Sequence, residues 1–106
     1  MMMDTLMAVR GMKHVLLIDL SGSVVSSAGL EPAFLKRELG LIAAGKAVIG
    51  SLQSSLGATE WNELLLDVDG GPVLLTPFGP QILLTAFDDV TSLGRVRFAV
   101  RRLINP

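Results

Sequence analysis

Apolar residues along this chain form short runs at both ends and a longer stretch with helical spacing in the middle. Near the start, two runs predict antiparallel strands, Val15–Leu20 and Ser23–Ala28, because Ser21-Gly22 lies between them at hairpin spacing. Three later runs also have strand character and are separated by turn clusters rich in Asp, Gly and Pro; they cover 61–68, 73–78 and 81–87.

The middle of the chain predicts one long helix, from about Pro32 to Leu56. Proline in the first turn and Gly57 just past the end suit these boundaries. Glu38 falls inside the apolar face and indicates a frayed start or a helix that begins later. The large apolar side chains of that face are Phe34, Leu35, Leu41, Ile42, Val48, Ile49, Leu52 and Leu56.

The opposite face of this helix carries small residues at helical spacing. One interpretation is a seam on which a second helix packs closely, since glycines at 40, 45 and 50 cost helix stability that close packing would offset. The other is an ordinary solvated face, rich in alanine because alanine favours helix. The small residues are Gly40, Ala43, Ala44, Ala47, Ser51 and Ser54.

The last segment, 92–106, returns to helical spacing, so the predicted order is β-β-α-β-β-β-α. Several strands are apolar at consecutive positions, which is typical of strands covered on both faces. We therefore expect an α/β fold: a five-stranded antiparallel sheet in a three-layer α/β/α domain spanning 1–106. The long helix covers one face and the terminal helices cover the other.

Composition narrows the function further. Half of the 106 residues are apolar and 18% are charged, which predicts one folded domain with enough apolar surface to self-associate. The absence of cysteine and the single histidine exclude a disulfide scaffold and a multi-histidine metal site. A net charge of −1 excludes a globally basic nucleic-acid binder. We expect no cofactor, no nucleic-acid partner, no membrane span and a cytoplasmic location.

Individual residues offer little chemistry. The segment from Gly40 to Ala47 imitates a phosphate loop, but it lies mid-helix and lacks the final hydroxyl residue. Asp19 is expected to cap a turn, and His14 is expected to be a surface or capping residue. Arginines at 95, 97, 101 and 102 follow acidic 61–90, which favours a charge-matched last helix over an arginine finger.

Four segments together carry a recognisable arrangement. HVLLIDLSGSVVSSAG, at 14–29, is a strand ending in Asp, a glycine turn and a strand ending in small residues. The others are an Ala/Gly-rich helix, a second hairpin and a helix in which Leu-Gly precedes alternating Val and Arg, at 41–52, 70–89 and 92–102. In this order they resemble the roadblock / dynein light chain family, a relative of longin and profilin-like folds, over about 13–104. The N-terminal helix of that family is truncated here to about Asp4–Met12.

The resemblance implies a homodimer in which central helices pair and the Trp61 strands join edge to edge. It also implies a non-catalytic partner of a small Ras-like GTPase, either activating it or serving as a GTPase-binding scaffold. Ala43→Arg or Ala47→Arg is then expected to break binding or dimerisation while leaving the fold intact. The expected interface residues are Lys36, Arg37, Gly40, Ala43, Ala44, Ala47 and Trp61.

Two other functions remain open at this point. The first is a general protein scaffold, like a dynein light chain or a Ragulator subunit, with no effect on GTP hydrolysis. The second is a small-molecule sensor or enzyme, which requires an internal pocket, whereas the large aliphatic side chains indicate a filled core.

Overall fold

The computed structural model describes residues 2–57 and 60–105. The five strands and the two longer helices follow the predicted order, a short helix precedes them, and a single turn of 3₁₀ helix at Val90–Ser92 comes before the last helix. The elements are α1 Met2–Met7, β1 Met12–Ile18, β2 Val24–Ala28, α2 Pro32–Leu56, β3 Leu64–Leu66, β4 Val73–Phe78, β5 Gln81–Phe87 and α3 Leu93–Ile104.

The five strands form one antiparallel sheet in the order β2-β1-β5-β4-β3. Alternate residues of β1 serve opposite layers, as the two-residue period of a strand requires. Val15 and Leu17 join α1 and α3 in one buried cluster, while Leu16 and Ile18 join α2 in the other. The predicted α/β/α layering is therefore confirmed, and α2 is the helix that covers its face of the sheet among the described residues.

The β1–β2 turn is organised by Asp19, as expected. One carboxylate oxygen accepts hydrogen bonds from the backbone N–H of Ser21 at 2.9 Å and of Ser23 at 3.0 Å. The Ser21 hydroxyl also donates to this oxygen at 2.6 Å. These bonds favour the charged carboxylate, the Ser21 hydroxyl most of all, and hold the pKa of Asp19 below its ordinary value of 3.8. The Asp19 carboxylate therefore stabilises the turn that joins the two strands.

The boundaries of α2 match the prediction. Pro32 begins the helix and Gly57 ends it in the left-handed conformation, at φ 68°. Gly45 is needed for a different reason, since a Cβ atom there would collide with the Leu75 side chain of β4. The missing side chain lets α2 lie close to the sheet.

Some elements are shorter than the sequence predicted. The strand expected at 61–68 is reduced to β3, and only six residues form α1. The last helix begins at Leu93, because Asp89 first caps the 3₁₀ turn by accepting a hydrogen bond from the Thr91 N–H at 2.9 Å. These differences leave the layering unchanged.

Candidate functional site

The outer surface of α2 is the candidate site, and its outward side chains are mostly small or apolar. Val48, Leu52 and Leu56 are 46%, 50% and 75% exposed, which is unusual for large aliphatic side chains on one helix. The exposed small residues of the same helix lie beside them. We call this surface the α2 face; it comprises Gly40, Ala43, Ala44, Ala47, Val48, Leu52 and Leu56.

The prediction that the large apolar residues of α2 share one face, opposite the small residues, was wrong in part. The residues that α2 buries, at 38, 42, 45 and 49, are spaced four, three and four apart. That spacing defines one narrow stripe, which is all that a helix lying on a sheet needs to cover. Leu35 and Leu41 pack at its margin, while Val48, Leu52 and Leu56 point into solvent.

Glu38 is the charged member of that stripe, and it has no solvent exposure. Its carboxylate pairs with the imidazole Nε2 of His14 on β1 and accepts a hydrogen bond from Nη1 of Arg37 at 2.7 Å. Buried charges persist where they are paired and hydrogen-bonded. This chain of three side chains fastens the start of α2 to β1.

His14 and Glu38 therefore correct two expectations. His14 is 3% exposed instead of lying at the surface, and Glu38 sits within a helix that begins where predicted, neither frayed nor late. A signal was present in the sequence: one carboxylate inside an apolar helical face and one histidine at the head of an apolar strand. Pairing them needed the register of α2 on β1, which the sequence pattern does not supply.

The basic residues predicted for the interface have different roles in the structure. Lys36 is exposed on α2. Arg37 is half-buried, and its Nη2 donates to the backbone carbonyls of Asp69 at 3.1 Å and Gly71 at 2.6 Å. Arg37 thus holds the β3–β4 turn against α2, which leaves Lys36 as the solvent-facing cation of the predicted pair.

Trp61 and β3 lie at the side of the α2 face. β3 is an edge strand paired with β4, and within the described residues its other edge has no strand beside it. Trp61 is half-buried and packs against the apolar cluster beneath α2. Leu64 of β3 also approaches Gly45, at 3.3 Å from the position of a Cβ there. The structure thus brings the α2 face and an open strand edge together.

Length and composition alone would allow α2 to cross a membrane, since it is 25 residues long and apolar. A single helix of this kind is weak evidence, because the core helix of a soluble protein passes the same test. Its most apolar window is only 17% buried, so the exposed apolar surface still needs an explanation. The phosphate-loop imitation from Gly40 to Ala47 lies inside α2, as predicted.

The arginines of α3 contact neighbouring parts of the fold. Arg97 and Arg101 both pair with Glu63, just before β3. Arg95 donates to the Ser92 hydroxyl at 2.8 Å, and Arg102 lies over the ring of the exposed Phe98. These contacts agree with the expected charge-matched helix.

The fold and the α2 face define a class of protein. This chain belongs to the Roadblock/LC7 domain family, whose model matches residues 1–88. The resemblance seen in the sequence is thereby confirmed. That one such domain spans 1–106 stays a prediction.

The fold of this chain is also similar to those of several solved structures. Myxococcus xanthus MglB is 28% identical, with a TM-score of 0.80 over 95% of this chain and 77% of that one. The gliding protein MglB of Thermus thermophilus has the same TM-score at 23% identity, over 98% and 81% of the two chains. A structure described as MglB with tetrameric arrangement scores 0.78 at 23% identity, over 98% and 80%. The last two support the fold alone. No curated relative matches the sequence.

Proposed function

We propose that this protein is a non-catalytic homodimer that regulates a small Ras-like GTPase in the cytoplasm. The observation that carries the proposal is the α2 face, where small residues adjoin exposed Val48, Leu52 and Leu56. A second copy of the same helix would cover this surface. Membership of the Roadblock/LC7 family, and the likeness to MglB of Myxococcus xanthus, point to the same class of regulator.

Small side chains on α2 suit a helix pair with a two-fold axis. Helix axes that pack directly lie about 8–10 Å apart, and the lower end of that range requires Gly and Ala at the contact. Ala43 and Ala47 are four residues apart, so they lie on one side of α2. The open edge of β3 would join its symmetry mate in a continuous sheet, which also protects an exposed strand edge.

A pair of α2 helices would also present a broad platform for the GTPase. Lys36 and Lys46 are exposed on each helix, and each protomer would contribute its own pair. The proposed action is allosteric: the dimer holds the switch loops of the GTPase in the arrangement competent for hydrolysis and so shifts a population. Arg37 would act indirectly, by fixing the start of α2.

Single-turnover GTP hydrolysis tests the proposal. The Ras-like GTPase of the same genome is loaded with GTP and mixed with excess protein, and phosphate release is followed. The wild type is expected to accelerate hydrolysis, and Ala47→Arg is expected to abolish the effect. Ala8→Arg makes the same substitution at an exposed position on the opposite side of the sheet, and it should act like the wild type.

Other outcomes separate the alternatives. Co-elution with the GTP-loaded GTPase without acceleration would make the protein a scaffold. The absence of both acceleration and co-elution would contradict the proposal. If Ala47→Arg and Ala8→Arg lost the acceleration of GTP hydrolysis equally, the α2 face would not be the surface that acts on the GTPase.

A further inference from the structure

A separate cleft lies across the sheet from the α2 face. It opens between the C-terminal half of α3 and the β4 strand, with a volume of about 320 Å³. Trp61 and Glu63 form one side of it, and Arg97 and Arg101 form the other. Its size is at the lower end of the range for small-ligand sites.

Thr76 gives this cleft an unsatisfied polar group. The side chain lines the cleft and is only 5% exposed, yet its hydroxyl has no hydrogen-bond partner among the described residues. Thr85, on the neighbouring strand, is as buried but donates to the Leu74 carbonyl at 3.3 Å. A buried hydroxyl without a partner costs about 1–3 kcal/mol. Because Thr76 lines the cleft, a molecule bound there is the candidate partner for this hydroxyl.

The charged groups of the cleft favour a single negative charge. Arg97 donates from Nε to Glu63 at 2.7 Å and Arg101 donates from Nη2 to Glu63 at 2.9 Å. Each guanidinium carries five N–H donors, so these bonds leave others for a ligand. Two arginines against one carboxylate give a net charge of +1. A monocarboxylate balances that charge, whereas a doubly charged phosphate would overshoot it.

The rest of the lining is mixed: Asn62 and Asn105 contribute polar groups, and Leu74 on β4 and Val100 and Ile104 on α3 contribute apolar ones. We propose that this cleft binds a medium-chain carboxylic acid that carries a second hydrogen-bonding group. The arginines hold the acid, Thr76 bonds the second group and the hydrocarbon body lies along α3. This site is additional to the GTPase function and does not depend on the α2 face.

Trp61 provides a direct signal, because it is the only tryptophan in the sequence and lines the cleft. The purified full chain is titrated with 3-hydroxyoctanoate, and Trp61 emission is followed. We expect a saturable change with the acid and at least about tenfold weaker binding of the matched amide, 3-hydroxyoctanamide. Octanoate, which lacks the hydroxyl, should bind more weakly than the hydroxy acid.

Two variants assign the binding to this cleft. Arg101→Gln is expected to weaken the binding of 3-hydroxyoctanoate at least about fivefold. Arg102→Gln makes the same charge change beside Phe98 and should leave this affinity unchanged. Thr76→Val should erase the preference for the hydroxy acid over octanoate. It should also fold at least as stably as the wild type, because it removes an unsatisfied hydroxyl at constant shape.

Three results would overturn the assignment. The first is an emission that does not saturate with any acid, and the second is equal binding of acid and amide. The third is equal binding by Arg101→Gln and Arg102→Gln, which would move the signal to the other side of Trp61, beneath α2. A Thr76→Val variant that keeps the preference for the hydroxy acid would remove Thr76 from the site.

Discussion

Glu38 is fully buried, and the fold has organised partners around it. Its charge is balanced by Arg37 and it also pairs with His14 of β1. Removing one member of a buried ionic group leaves the others uncompensated, which typically costs about 3–5 kcal/mol. For a domain of this size that is a large part of the total stability.

Glu38→Ala is therefore expected to lower the free energy of unfolding by about 3 kcal/mol. Urea unfolding followed by circular dichroism measures the change. Glu31→Ala is the matched control, because Glu31 is exposed at the N-cap and makes no side-chain cap bond. A difference below about 0.5 kcal/mol between the two variants would mean that the buried group does not anchor α2.

Asp19 predicts a dependence on acid. Its pKa is lowered in the folded protein, mainly by the Ser21 hydroxyl. The folded state therefore binds fewer protons at this carboxylate than the unfolded state does. Its contribution to stability is present above the unfolded value of 3.8 and is lost as pH falls through the lower folded pKa. The wild type should thus exceed Asp19→Asn in melting temperature at pH 6, and the gap should shrink below pH 4.

Thermal melts between pH 6 and pH 3 measure that gap. Asp67→Asn, at another exposed aspartate, controls for the loss of one surface charge. A gap between wild type and Asp19→Asn that stays constant across this range would contradict the assigned role of the carboxylate.

At the scale of elements, α2 is fitted to the sheet by the absence of a side chain at Gly45. A larger residue there would overpack the contact with Leu75 and Leu64. Overpacking a core typically costs about 1–3 kcal/mol. Open space lies where a Cβ atom would be added to Gly94 in α3, so a side chain is accommodated there.

Gly45→Val is expected to lower stability by about 2 kcal/mol, and Gly94→Val is expected to keep it or raise it slightly. Chemical unfolding of both variants provides the comparison. Similar stabilities would show that α2 does not need its close approach to the sheet.

Much of α2 could be predicted from the sequence, because helix boundaries depend on local chemistry. Pro32 and Gly57 mark its two ends through their own backbone preferences. The order of the elements along the chain and the family were likewise accessible, since strand runs, turn residues and their sequence are local patterns.

The side of α2 that is buried could not be fully predicted. Hydrophobic periodicity ranks residues by polarity, while burial depends on how much of the helix the sheet covers. The sequence pattern therefore grouped Val48 and Leu52 on one apolar face with residues that are buried, and Glu38 seemed to be misplaced there. The small-residue face was recognised, but the exposed aliphatic residues beside it became visible only in the structure.

At the scale of the whole molecule, the two sides of the sheet differ in what they leave uncovered. The α1 and α3 side carries the charged cleft with Thr76, while the other side carries the α2 face and the adjacent β3 edge. A single two-fold interface would bury both the apolar helix surface and the open strand edge beside it. We therefore expect the protein to self-associate through α2.

Sedimentation equilibrium of the purified chain tests this self-association. The wild type and Ala8→Arg are expected at twice the chain mass of 11.3 kDa, and Ala47→Arg at 11.3 kDa with unchanged circular dichroism. A wild type that sediments as a monomer at micromolar concentration, or an Ala47→Arg variant that remains dimeric, would contradict it.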